Sequence, residues 1–174
     1  LQEYIKQHNK LFEISPSTNT VRIVTLYTKN KDIIIVGALM RFGVGSTYID
    51  NTSSGGLAVG IDIEHGVLKE KAYDFNSKVY YSHPTSKFTF KNFKIPYWNE
   101  VVELAKHTQK LFPYYKLLGF DIAIAPDGPL IIEINAEHDN VGIEQSYGPI
   151  LNNPQVRNAF KVYNLLINKN QMEF

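Results

Sequence analysis

The chain predicts an α+β fold, a mostly antiparallel sheet flanked by helices, on three observations. β-Branched and aromatic runs alternate with short polar or glycine-bearing breaks, and two segments repeat apolar residues at helical spacing. The stretch 119–135 reads as a hairpin with one polar and one apolar face.

Residues 21–27 are β-branched and aromatic, the polar cluster 28–32 interrupts them, and the apolar run 33–40 follows, so the two runs pair as strands. The glycine-rich, polar stretch 43–56 leads to 57–63 and 67–73, which Glu64-His65-Gly66 separates as a hairpin turn would. Residues 74–98 are aromatic and polar, with Pro84 and Pro96 as breakers, and read as an extended surface excursion. Asn99 suits an N-cap for a helix in which Val101, Val102, Ala105, Thr108, Leu111 and Phe112 keep helical spacing until Pro113. A C-terminal amphipathic helix covers about 154–168, with Val156, Phe160, Val162, Tyr163 and Leu166 apolar. No repeat, low-complexity tract or linker divides the chain, so residues 1–174 read as a single domain.

Composition narrows the function classes. Apolar residues make up 44% and charged residues 20%, which is the globular range. A net charge of +1 from dispersed, nearly balanced residues gives no reason to expect a nucleic-acid surface. With no cysteine, neither disulfides nor thiolate metal sites are available. No apolar run approaches the roughly 20 residues of a membrane span, and the N-terminus lacks a signal pattern, so cytoplasm is the expected location.

The register of 119–135 follows from its turn. Pro126 presets φ, Asp127 suits the next position, and Gly128 accepts the conformation that closes a three-residue loop. Ala125 then faces Pro129 and Asp121 faces Glu133, with Asn135 on the same face, while Phe120, Ile122, Ile124, Leu130, Ile132 and Ile134 share the other and cover a core. A two-residue loop would mix the faces. Opposed carboxylates are unfavourable unless a cation lies between them, and two carboxylates with an amide oxygen suit Mg²⁺ held against phosphate. An ordinary solvated strand face is the plainer alternative.

In order along the chain, Gln2-Glu3-Tyr4-Ile5, Thr20-Val21-Arg22, Arg41, Asn51, Gly55-Gly56, Gly119-Phe120-Asp121 and Glu133-Ile134-Asn135 resemble the C-terminal lobe of ATP-grasp carboxylate–amine ligases. Asn19-Thr20-Val21-Arg22-Ile23-Val24-Thr25, Asp50-Asn51, His83-Pro84-Thr85 and Ile95-Pro96-Tyr97-Trp98 resemble its sugar-transfer associated group, over roughly residues 1–150. The resemblance implies ATP, one or two Mg²⁺ ions with Mn²⁺ as an alternative, and metal roles for Asp121, Glu133 and Asn135. It implies a hinge at 1–8 whose Gln2, Glu3, Tyr4 and Ile5 hold adenine through backbone groups, a metal-binding hairpin at 119–136, and a phosphate-side role for Asn51. Arg22 and Arg41 match the arginines that steady the transferred phosphoryl group and the acyl phosphate, a task suited to a planar, permanently charged fork. A four-residue loop, 29–32, would put both on one face, with solvated strand arginines as the alternative.

The implied activity is carboxylate activation by ATP and transfer of the acyl group to an amine, the substrates being a small carboxylate and an amine acceptor such as an amino acid and a sugar, linked to cell-envelope or exopolysaccharide glycans. The family's N-terminal lobe would precede Leu1. Two departures follow: Glu137-His138-Asp139-Asn140 replaces the family's small residue and Pro-Gly after Glu-x-Asn, and Thr20 occupies the place of an acid near the ribose, for which Glu3 or Asn19 could substitute. His83 reads either as an acid–base group or as a surface histidine before proline, and His138 lies near the metal face. The competing functions are a non-catalytic nucleotide-binding regulatory module and a β-rich carbohydrate-binding domain using Tyr80, Tyr81, Tyr97 and Trp98.

Overall fold

A computed structural model describes residues 5–45, 55–137 and 140–166. Seven strands, β1 (Thr20–Tyr27), β2 (Ile33–Phe42), β3 (Leu57–Asp62), β4 (Val67–Tyr73), β5 (Val79–Tyr80), β6 (Leu117–Ala125) and β7 (Gly128–Asn135), form one sheet in the order β5-β4-β3-β2-β1-β6-β7. Every neighbouring pair is antiparallel, so the α+β class and the strand assignments hold.

The sheet buries both faces. Val21, Ile23, Met40, Phe42, Phe120, Ile122 and Ile124 point to one, where a short helix α1 (Asn9–Phe12) and the long helix α2 (Trp98–Leu111) supply Leu11, Val101 and Ala105. Val24, Leu26, Val36, Leu39 and Ala58 point to the other, against α3 (Asn140–Ser146), a 3₁₀ turn at Ile150–Asn152 and α4 (Pro154–Val162). Each fully buried large apolar side chain is worth about 1.5–3 kcal/mol, so the two clusters carry most of the stability. Among the described residues no helix is long and apolar enough to cross a membrane.

Tertiary burial overrides four local expectations. Helix α2 begins at Trp98 rather than after an Asn99 cap, and its N-cap, Tyr97, has φ 54° with no side-chain bond. Trp98 sets that start, because its indole lies over Gly66, where a Cβ would fall 2.2 Å from its Cγ, and its Nε1 donates to the Ile63 carbonyl at 3.1 Å. Helix α4 is shorter than 154–168. Asn153 caps it and Pro154 opens it, but it stops at Val162, where the Tyr163 hydroxyl donates to the Tyr27 carbonyl at 2.8 Å and Asn164 turns left-handed at φ 57°.

The excursion 74–98 does not stay at the surface. Phe90 and Ile95 are buried in the first cluster, Phe88 and Phe93 pack against it with rings 5.2 Å apart, and His83 is buried as well. Apolar closure over β2 and β3 pulls it back. The apolar face of 119–135 holds on β6, while on β7 it is Ile131, opposite Ile122, that packs against the first cluster. Leu130 instead lies opposite Ala123, on the face of Asp121, and Leu130, Ile132 and Ile134 remain 48%, 46% and 37% exposed.

Both site hairpins absorb a one-residue shift. At its turn the β6–β7 pair has a two-residue loop, Ala125 facing Gly128 and Ile124 facing Pro129 rather than Ala125 facing Pro129. A bulge at Asp121/Ile122 then leaves Ile132 without a partner and restores Asp121 opposite Glu133. The β1–β2 loop holds five residues rather than four, Tyr27 facing Ile33, and a bulge at Val24/Thr25 sets Arg22 opposite Leu39 and Thr20 opposite Arg41.

Candidate functional site

Leu39, Arg22, Asp121 and Glu133 form one cross-strand row over β2, β1, β6 and β7. The next row on that face is Arg41, Thr20 and Ala123, and on the other side lie Gly37, Val24, Gly119 and Asn135. Since every second residue shares a face, Thr20, Arg22, Arg41, Asp121, Glu133 and Asn135 open on the same side of the sheet. Ala123 and Gly119, one small and one without a side chain, leave room beside Asp121.

Asp121 is 2% exposed, yet it is a carboxylate, so it requires charged partners. Arg22 supplies a fork: Nε donates to Oδ1, and Nη2 donates to Oδ2 at 2.7 Å. Arg41 Nη2 lies 3.0 Å from Oδ2, and both guanidinium groups are themselves mostly buried. Arg41 is held from its other edge by Thr20, whose Oγ1 accepts from Nε at 3.0 Å and from Nη2 at 2.7 Å. Among the described residues two cations thus converge on one buried anion. Neither arginine is a solvated strand residue.

Glu133 faces Asp121 across the pair but is exposed, and among the described residues its carboxylate enters no ion pair. Asn135 is half-buried. A carboxylate offers about four lone-pair positions. Three guanidinium contacts occupy the two oxygens of Asp121, so it has room for one further ligand and no chelating grip. With Glu133 and the Asn135 amide oxygen, the set is hard and oxygen-only, and it fits Mg²⁺ completed by phosphate oxygens and water. Among the described residues no three histidines or acids gather at one point.

The described end of the expected hinge, residues 5–8, reaches the β6–β7 turn. The His8 amide donates to the Ile124 carbonyl at 2.7 Å, the Tyr97 ring meets His8 edge-on, and the Tyr97 hydroxyl donates to the Pro126 carbonyl at 2.8 Å. Ile5 is half-buried. Gln2, Glu3, Tyr4, Asn51 and His138 lie outside the described residues.

A buried polar network, which sequence spacing did not reveal, anchors this segment to β2. Gln7 Nε2 donates to the Ser15 carbonyl at 2.9 Å and Gln7 Oε1 accepts from Asn19 Nδ2 at 2.9 Å. Gly43 is held on both polar groups: its amide donates to Asn19 Oδ1 at 3.3 Å, and its carbonyl accepts from Ser15 Oγ and His83 Nε2, each at 2.8 Å. Asn19 is fully buried with its amide engaged, so it does not replace a ribose-binding acid. His83 is no surface histidine. Burial pushes its pKa down, against the hydrogen bond to Gly43. Trp98 is buried, so it joins no exposed carbohydrate platform with Tyr80, Tyr81 and Tyr97.

Helix α3 packs on the same side of the sheet, over β2 and β3. A Cβ on Gly37 would lie 2.9 Å from Ile143 Cγ2, and one on Gly60 would lie 2.2 Å from the Ser146 carbonyl oxygen. These two glycines let the helix lie against the sheet. Lys69 Nζ donates to the Tyr147 carbonyl just past the helix and sits 4.6 Å above the Tyr147 ring.

The model of the sugar-transfer associated ATP-grasp family matches residues 1–158 of the 174. No curated protein matches the chain.

Proposed function

The chain belongs to the sugar-transfer associated ATP-grasp family, a group of ATP-dependent, ligase-type domains, and from that premise we propose that it is the C-terminal lobe of a carboxylate–amine ligase. It works with an N-terminal lobe of the same parent, in the cytoplasm, where ATP is available. Its amine acceptor belongs to a glycan or a glycan precursor, as the family's description favours.

In the proposed reaction a carboxylate oxygen attacks the terminal phosphorus of ATP. The bond from that phosphorus to the bridging oxygen breaks, giving ADP and an acyl phosphate. The amine then attacks the acyl carbon, phosphate leaves with the C–O electron pair, an amine proton passes to solvent, and an amide remains.

The observation that carries this reading is the convergence of Arg22 and Arg41 on buried Asp121, with Glu133 directly opposite. Held in a rigid sheet, the two guanidinium groups stabilise charge on the transferring phosphoryl group without reorganising. Glu133, Asn135 and the remaining position on Asp121 would hold magnesium, which when bound neutralises phosphate charge. Ile5, with Gln2, Glu3 and Tyr4, is assigned to adenine and Asn51 to the phosphates.

The test is ADP release by the full-length parent with MgATP and a panel of amino acids and sugar acids. Carboxylate-dependent release is expected, and Glu133→Gln should lower it by about a hundredfold or more. Absence of carboxylate-dependent release overturns the ligase. Binding of MgATP by calorimetry without release would instead mark a nucleotide-binding module without catalysis.

A further inference from the structure

Resting on the reading just given, we infer that Thr20 is a positioning residue for phosphoryl transfer, acting through Arg41. Its side chain touches the guanidinium, and its effect on the reacting atoms is indirect.

The geometry is specific. Thr20 lies directly across from Arg41 on β2 and from Ala123 on β6, so its hydroxyl stands beside Arg41 on the site face. It is 5% exposed. Its oxygen accepts from Nε at 3.0 Å and from Nη2 at 2.7 Å, two donors on one edge of the planar group, and this fixes the plane as well as the position of the fork. Nη2 also faces Asp121, so the guanidinium is held between a neutral acceptor and an anion.

The neutrality of that acceptor matters. An acid in place of Thr20 would pair with Arg41 and offset its charge. A hydroxyl orients Arg41 and adds no negative charge beside it. Hydrogen bonds to charged groups are the strong class, and a buried donor edge that loses its acceptor is costly.

The substitutions are Thr20→Val, which keeps the shape and removes the acceptor, and Thr20→Ser, which keeps the acceptor. The full-length parent is titrated with MgADP alone and with MgADP plus aluminium fluoride, a mimic of the transferring phosphoryl group. Wild type should bind the fluoroaluminate complex more tightly than MgADP. T20V should lose about tenfold or more of that gain, T20S should retain it, and MgADP affinity should stay within about twofold throughout, which also shows that the variants are folded.

If T20V does not fold, Thr20→Cys, with similar volume and a weak acceptor, is expected to show the loss instead. Retention of the full gain by the acceptor-deficient variant, or its loss in T20S, overturns the inference and leaves the ligase reading intact. Failure of wild type to bind MgADP overturns both.

Discussion

Asp121 and Glu133 face each other across one strand pair, yet they do different work, and burial separates them. Asp121 is 2% exposed and joins Arg22 and Arg41, so its removal leaves two cations facing each other in a desolvated place. Breaking one side of a buried ion pair costs about 3–5 kcal/mol. Asp121→Asn should therefore lower the unfolding free energy by about 3 kcal/mol in urea titration, whereas exposed Glu133→Gln should stay within about 0.5 kcal/mol of wild type. An Asp121→Asn protein as stable as wild type would mean that the arginines do not depend on the carboxylate. This split makes Glu133 the cleaner probe of chemistry. Sequence reasoning set Asp121, Glu133 and Asn135 on one face from the turn register, and placed Arg22 and Arg41 on a shared face only for a four-residue β1–β2 loop. It missed Thr20 as a partner of Arg41, because that contact depends on the β1–β2 register, which the composition of the turn does not fix.

At the scale of elements, apolar and polar alternation proved stronger than turn geometry. In both site hairpins the loop differs by one residue from the one expected, and a bulge beside the site, leaving Val36 or Ile132 without a partner, corrects the pairing. The expected pairing was right at Asp121 and wrong at the turn, since a slip of one residue would turn Asp121 into the core. Helix α3 was illegible for a different reason. Its footing is a pair of glycines on β2 and β3, remote in sequence, and not a strong pattern of its own. Two substitutions on that footing should act with opposite sign. Gly60→Ala forces a Cβ to 2.2 Å from the Ser146 carbonyl oxygen and should cost about 2 kcal/mol as an overpacked contact. Ser146 Oγ, the one buried side-chain polar atom among the described residues without a hydrogen-bond partner, should be dispensable, and Ser146→Ala should stabilise by about 1 kcal/mol. Urea midpoints measure both, and equal signs would show that α3 is not seated as described.

Over the whole molecule, three segments far apart in sequence meet at Gly43: the Gln7–Asn19 network, the end of β2, and the excursion through His83. The excursion was read as surface because it mixes aromatic and polar residues with Pro84 and Pro96 as breakers, and no local pattern shows that Phe88, Phe90 and Ile95 are needed to close the core. Burial of His83 gives the fold a pH dependence whose sign can be worked out. Its folded pKa lies below the ordinary 6.5, chiefly through desolvation, so the native state holds it neutral. As pH falls through about 6.5 the unfolded chain takes up a proton that the folded chain refuses, and stability declines until the lowered folded pKa is reached. One proton bounds the slope at about 1.4 kcal/mol per pH unit. The exposed His65, whose pKa is raised by its hydrogen bond to Asp62, acts in the reverse sense, favouring the fold as pH falls, but solvent screening keeps it small. The wild-type profile therefore mixes the two. A His83→Gln protein keeps a donor for the Gly43 carbonyl and loses the titration, so the difference between its urea midpoint and that of wild type isolates His83. Between pH 7.5 and 5.5 wild type should lose stability more steeply than the variant. Parallel profiles would show that His83 is protonated as readily in the fold as out of it, and that its burial against Gly43 is not maintained in solution.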